Sequence, residues 1–195
     1  MVNKPIRAAV LLSVVLVWAA PDIRAHEDEA ASQEVNKDAQ ILQEFKKRVD
    51  DYVKLRNDVA KGLPPLERTN DPAKIQSAQD QLAGKIRAAR KGAKPGDIFT
   101  PEVRQLFRRL MYPELKGVEG ADAKQAIKED APKGVPLKVN AKYPDSAPLP
   151  TVPPNLLAAL PKLPEDLDYR IINKDLILLD VRANVIIDFM QNAIR

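Results

Sequence analysis

Residues 167–194, LDYRIINKDLILLDVRANVIIDFMQNAI, decide the fold of this 195-residue chain. Tyr169 and Ile171, and then Leu176 and Leu178, alternate with more polar or second-face positions on the two sides of Asn173–Asp175, which predicts two strands joined by a tight turn. A second turn is predicted at Asp180–Asn184, and the β-branched run Val185–Ile187 favours a third strand. We therefore expect a small antiparallel β-meander within residues 165–195.

The last part of this stretch has an alternative. Ile186, Met190 and Ala193 also fit helical spacing, so residues 181–194 could form a terminal helix. We favour the strand because it begins with β-branched residues. Asn173 and Asn184 are assigned to turns, where asparagine accepts a left-handed backbone and bonds its own chain.

Residues 34–130 have the pattern of a helical region. An apolar stripe predicts a helix over Glu34–Lys61. A second helix is predicted from the N-cap Asp71 to about Arg90, so that the two form an αα-hairpin. Thr100–Pro101 starts a third helix that stops before Pro113, and Ala121–Glu129 is a weaker fourth.

Residues 131–164 form a proline-rich crossover, with nine of the 17 prolines of the chain. Within it, residues 135–141 alternate between apolar and polar types and predict an edge strand. Residues 155–160 predict one helical turn. The fold class is therefore α+β, with N-terminal helices, a proline-rich crossover and a C-terminal β-unit.

The N-terminus has the pattern of a secretory signal peptide. Lys4 and Arg7 precede an apolar run from Ala8 to Ala20, and Ala25 offers a small residue for cleavage. The run is shorter than the roughly 20 residues that a membrane-spanning helix needs. We predict a leader over residues 1–25, a disordered tail over 26–33, and an exported mature protein, periplasmic or secreted, without a membrane span.

Composition excludes several kinds of chemistry. The chain has no cysteine, and its single histidine, His26, lies in the predicted tail, so a Ser/His/Asp triad lacks a base. The predicted leader carries half of the net charge of +4, so the basic balance does not indicate nucleic acid as a partner. No nucleotide-binding, metalloprotease, hydrolase or calcium-loop motif occurs. We assign no catalytic residue, cofactor or metal ligand.

Acidic residues are frequent around the β-unit. Paired carboxylates can serve a hydrolase, and several together can bind a hard divalent cation. The spacing matches neither kind of site, so we expect surface acids at strand ends and turns. If Ile187 and Phe189 point inwards, Asp188 points outwards. The acids are Glu165, Asp166, Asp168, Asp175, Asp180 and Asp188.

A basic cluster follows the second predicted helix. Its five cations lie near the helix C-terminus, where positive charge complements the helix dipole. A contact with a membrane surface or an anionic polymer is the alternative. The cluster consists of Lys85, Arg87, Arg90, Lys91 and Lys94.

The motifs Tyr169–Arg170, Asp175–Asp180 and Ala183–Asp188 resemble the C-terminal tail of a group of exported bacterial proteins. They are also loosely similar to the C-terminal hairpin module of the RcnB-type periplasmic proteins, which are linked to nickel and cobalt homeostasis. The resemblance covers about the last 28 residues. It implies an exported β-module and a connection with the envelope or with metals.

These observations favour a non-enzymatic exported protein that binds a protein partner, partly through a free sheet edge. The alternative is an envelope protein linked to metal homeostasis. A carboxylate-based hydrolase is a further, less favoured alternative.

Overall fold

The C-terminal stretch forms a three-stranded antiparallel sheet. In the computed structural model, which describes residues 23–65, 67–132 and 134–194, the strands lie in the order β1-β2-β3. Asn173 (φ 58°) and Asn184 (φ 51°) adopt the left-handed conformation in the connecting turns, as predicted. The third segment is a strand and not the alternative terminal helix. The strands are β1 Leu167–Ile172, β2 Asp175–Asp180 and β3 Val185–Met190.

Helices precede the sheet, and the predicted α+β class is confirmed. The side chains of Asp71 and Thr100 cap α2 and α3 by accepting hydrogen bonds from Ala73 N and Val103 N. In the described part of the chain, no helix has an apolar run long enough to cross a bilayer. The helices are α1 Ile23–Ala60, α2 Pro72–Ala89, α3 Pro101–Met111, α4 Gly117–Glu129 and α5 Pro154–Ala159, with a 3₁₀ turn at Pro113–Leu115.

Helix α1 begins before the predicted start. It starts at Ile23 and not at Glu34, so residues 26–33, which we predict to be a disordered tail, are helical. The segment lacks an apolar period, but its alanine and glutamate content favours a helix by itself. The part of α1 before Asn36 belongs to a separate unit, and the residues from Asn36 onwards form one compact unit. Residues 1–22 of the predicted leader lie outside the described residues.

Both faces of the sheet are buried. On one face, Leu176, Leu178 and Ile187 belong to a core shared with α1, α2, α3 and α5. On the other face, Ile177, Ile186 and further residues pack against Val139 and Tyr143 of the crossover. The crossover therefore covers the second face, which a small sheet must bury to be stable in water.

The prediction of an edge strand over residues 135–141 is wrong, because these residues form no strand. Among the described residues of the crossover, Lys142 alone forms a β-bridge, and its partner is Val185 of β3. Pro136 lacks a backbone donor, and Asn140 is left-handed with φ 64°, so an extended ladder cannot continue through this segment. Asn140 N still donates to Ile186 O at 2.8 Å, and Tyr143 N to Asn184 O at 2.9 Å. The crossover thus pairs with the outer edge of β3.

A β-bulge interrupts the pairing of β2 with β3. Leu178 is opposite Asp188 and Leu179 is opposite Ile186, so that Ile187 is an extra residue. Such an insertion breaks the alternation of side chains. The expectation that Asp188 points to the surface is therefore wrong, and its side chain is fully buried.

The carboxylate of Asp188 binds the loop that leads into α3. It accepts hydrogen bonds from Gly96 N at 2.9 Å, Ile98 N at 2.8 Å and Phe99 N at 2.8 Å. Backbone donors of this kind compensate for the lost hydration of a buried carboxylate. Asp188 has a structural role, since it joins the sheet to the helical part.

We expect Asp188→Ala to lower the free energy of unfolding by at least about 3 kcal/mol, because the backbone N–H groups of Gly96, Ile98, Phe99 and Phe189 lose this acceptor. Urea unfolding followed by circular dichroism measures the change. Asp168→Ala is the control on β1. Asp168 is half-exposed beside Arg170, and its loss should cost under about 1 kcal/mol. Equal costs for the two variants would contradict the structural role of Asp188.

Candidate ligand groove and its buried ionic cluster

Asp180, at the end of β2, forms the centre of a buried ionic cluster. Its side chain is fully buried and faces α1. Tyr52 Oη donates to Asp180 Oδ2 at 2.7 Å, and Ala183 N donates to Oδ1 at 2.8 Å. The carboxylate is therefore occupied by donors from α1 and from the β2–β3 turn.

Arg56 brings positive charge into this cluster. It follows Tyr52 by one helical turn on α1 and is only 4% exposed. Arg56 Nη1 lies 3.5 Å from Asp180 Oδ2 and 3.5 Å from Asp166 Oδ2. Within the described residues, Nε and Nη1 form no hydrogen bond. Arg56 is held by charge between two carboxylates, because the distances are longer than those of good hydrogen bonds.

The environment of Tyr52 keeps its hydroxyl protonated. Burial raises the pKa of Tyr52 far above its usual value, and the neighbouring charge of Asp180 raises it further. Burial alone raises the pKa of Tyr169 strongly. Tyr52 is therefore a neutral hydrogen-bond donor and not a base.

A groove of about 980 Å³ lies next to the cluster. Helix α1 contributes Asn57 and Ala60, and α2 contributes Ile75, Ala78 and Leu82. The connector between the helices and the β2–β3 turn complete the lining, and Asp166 links the groove to Arg56. We call this feature the α1–α2 groove. Its volume lies within the range of ligand-binding clefts.

Positive charge predominates in the α1–α2 groove. Its lining has an apolar part, in which Leu63, Ile75 and Leu82 take part, and a charged part. The acidic members are Glu67 and Asp166. Such a lining suits a ligand that has both negative charge and apolar groups. The basic members are Lys61, Arg68, Lys74 and Arg182.

The six acids around the β-unit differ in their exposure to solvent. Glu165 and Asp166 are exposed, in agreement with the expectation of surface acids, and Asp168 and Asp175 are half-exposed. Asp180 and Asp188 are buried, so that the expectation is wrong for both. Neither lines the α1–α2 groove. Among the described residues, no group of three or more His, Cys, Asp or Glu side chains is close enough to hold a metal ion.

Arg56 is the residue that sequence reasoning missed, although a signal was present. It continues the series Phe45, Val49, Tyr52 at helical spacing, and all three are buried. A charged residue at a core position of an apolar stripe indicates a buried ion pair.

Comparison of the chain with protein-family models, with curated proteins and with solved structures finds no match. The likeness to the RcnB-type proteins stays a prediction from the sequence.

We expect Tyr52→Phe to lower the free energy of unfolding at pH 8 by about 1.5–3 kcal/mol, since a buried carboxylate loses its hydroxyl donor. The conserved ring volume keeps the cavity term small. Urea unfolding followed by circular dichroism measures the loss. An unchanged midpoint would mean that the hydrogen bond to Asp180 contributes nothing.

The same variant has a distinct pH dependence. The unfolded tyrosine releases its proton near pH 10, whereas folded Tyr52 keeps it, so stability should fall as the pH rises above about 10. Tyr52→Phe removes this contribution, and the wild type should lose up to about 1.4 kcal/mol more per pH unit than the variant. Urea midpoints between pH 9 and 11 provide the comparison. Parallel curves for the wild type and the variant would show that folded Tyr52 loses its proton in the same pH range as an unfolded tyrosine.

Proposed function

We propose that this chain is a non-enzymatic exported binding protein whose α1–α2 groove receives an acidic, partly apolar segment of a protein partner. The observation that carries the proposal is the lining of the groove, where an apolar part is combined with four cations and two acids. Opposite charge steers a partner and fixes its register, and the apolar part supplies affinity.

The chemistry beside the groove supports binding and not catalysis. Asp180 is fully buried and accepts from Tyr52 and Ala183. The raised pKa of Tyr52 keeps the phenol neutral at physiological pH. Groups that are satisfied in this way stabilise the wall of a site and take no part in proton transfer.

Export is supported by the sequence of the predicted leader, with basic residues before an apolar run. The partner is therefore sought among envelope and secreted proteins. The alternative role in metal homeostasis rests on the resemblance to the RcnB-type proteins.

The experiment is capture from envelope extract, with the affinity tag placed between Ala25 and Val35. Ala78→Trp fills the α1–α2 groove from a half-buried position on α2. We expect it to weaken binding of the captured partner at least about 10-fold, which corresponds to about 1.4 kcal/mol. Ala126→Trp, at an exposed position of α4, is the matched control and should bind as the wild type does.

The charged part of the groove has its own test. Arg68→Gln combined with Arg182→Gln should weaken the same complex and reduce its dependence on salt, because both cations belong to the lining. A partner that binds Ala78→Trp and the double arginine variant as tightly as the wild type would contradict a site in this groove.

A further inference from the structure

A continuous stretch of positive charge covers the C-terminal half of α2 and the turn after it. Residues 81–96 contain five lysines and arginines and no aspartate or glutamate. Arg90 turns inwards, and its Nη1 donates to Asn140 Oδ1 at 2.8 Å and to Ile187 O at 3.2 Å. The other four, Lys85, Arg87, Lys91 and Lys94, are exposed.

Lys138 of the crossover joins this surface. Asn140 Nδ2 donates back to Arg90 O at 2.8 Å, which fixes the crossover beside the end of α2. Ala93 also packs on the same apolar cluster as Val135 and Leu137. Lys138 is exposed between these contacts. Arg87 lies on the same side of α2 as Asp80, which pairs with Lys142 of the crossover, whereas Lys85 lies about 160° away around the helix. We call Arg87, Lys91, Lys94 and Lys138 the cationic face.

The four cations of this face form no salt bridge among the described residues, although the carboxylate of Asp97 accepts from the backbone N of Lys94 at 2.9 Å. Other cations of the compact unit do form salt bridges: Lys47 with Asp51, Lys61 with Asp58, and Lys142 with Asp80 and Asp145. Four solvated charges of one sign create a positive potential that attracts anions.

We propose that the cationic face binds an anionic lipid surface, independently of the α1–α2 groove. None of its four residues lines that groove. Half-buried Ala93, Val135 and Leu137 lie among the cations. Cationic side chains around partly exposed apolar groups suit the headgroup region of a bilayer.

The expected size of the effect follows from the charge. One lysine or arginine close to an anionic membrane changes the partition coefficient about five-fold, so that three neutralised residues should lower it roughly 100-fold. Screening by salt should abolish the same binding at high ionic strength.

The test is co-sedimentation of the protein with vesicles of phosphatidylcholine containing 30% phosphatidylglycerol. The protein is purified from cells that express residues 1–195. Vesicles of phosphatidylcholine alone are the reference, because apolar insertion by the N-terminal segment would occur with both. We expect binding to the anionic vesicles only, and its loss in 0.5 M NaCl.

Two triple variants with the same change in net charge locate the binding surface. Arg87→Gln, Lys91→Gln and Lys94→Gln should lower the partition coefficient roughly 100-fold. Lys54→Gln, Lys124→Gln and Lys128→Gln, at exposed positions of α1 and α4, should leave it within about three-fold. Unchanged circular dichroism of both variants checks the fold.

Three outcomes would overturn the proposal. The first is the absence of binding to anionic vesicles at low salt. The second is an equal loss in the two triple variants, which would indicate attraction by net charge alone. The third is binding of polyglutamate through the same cations without binding of vesicles, which would assign the face to acidic peptides.

Discussion

The hydrogen bonds from the 96–99 loop to Asp188 are the constraint on which the rest of the structure depends. A buried carboxylate is destabilising unless donors compensate for its hydration. Gly96, Ile98 and Phe99 supply these donors, and they immediately precede the cap of α3. The position of α3 against the sheet is therefore set by directional bonds and not by apolar packing alone.

The aromatic core follows from the same contact. The backbone N–H of Phe99 is bound to Asp188, and its ring lies 6.1 Å from that of Phe45 and 5.8 Å from that of Phe107. Phe107 in turn reaches Tyr169 on β1 at 6.2 Å. With four phenylalanines, four tyrosines and no cysteine in the whole chain, a few well-placed rings and two buried acids must determine how the helices lie on the sheet.

Sequence patterns predicted most of the helices and the three strands, but they did not predict the start of α1, the form of the crossover or the buried charges. Caps at Asp71 and Thr100 and the turn asparagines depend on residues close in the chain, so local rules predict them. Asp188 is buried because of a bulge, which is a property of the strand pairing and is not visible in one strand. Arg56 and Asp180 meet only after α1 has packed on the sheet. A charged residue within an apolar run is the local sign of both cases.

Several arginines of this protein bind other parts of the same chain. On α1, Arg56 lies between Asp166 and Asp180. On α3, Arg104 Nε donates to Phe99 O at 2.7 Å, and Arg108 Nη2 donates to Gln191 O at 2.8 Å. These side chains stabilise the chain itself.

Helix α2 contains one acid, Asp80, which pairs with Lys142 of the crossover. Lys74 lines the α1–α2 groove, and Lys85 and Arg87 are exposed near the other end of the helix. A packed stripe of Leu82, Ala83 and Ile86 fixes the helix to the core. The backbone of α2 is therefore fixed on the core, whereas its exposed lysine side chains extend from it on flexible stems.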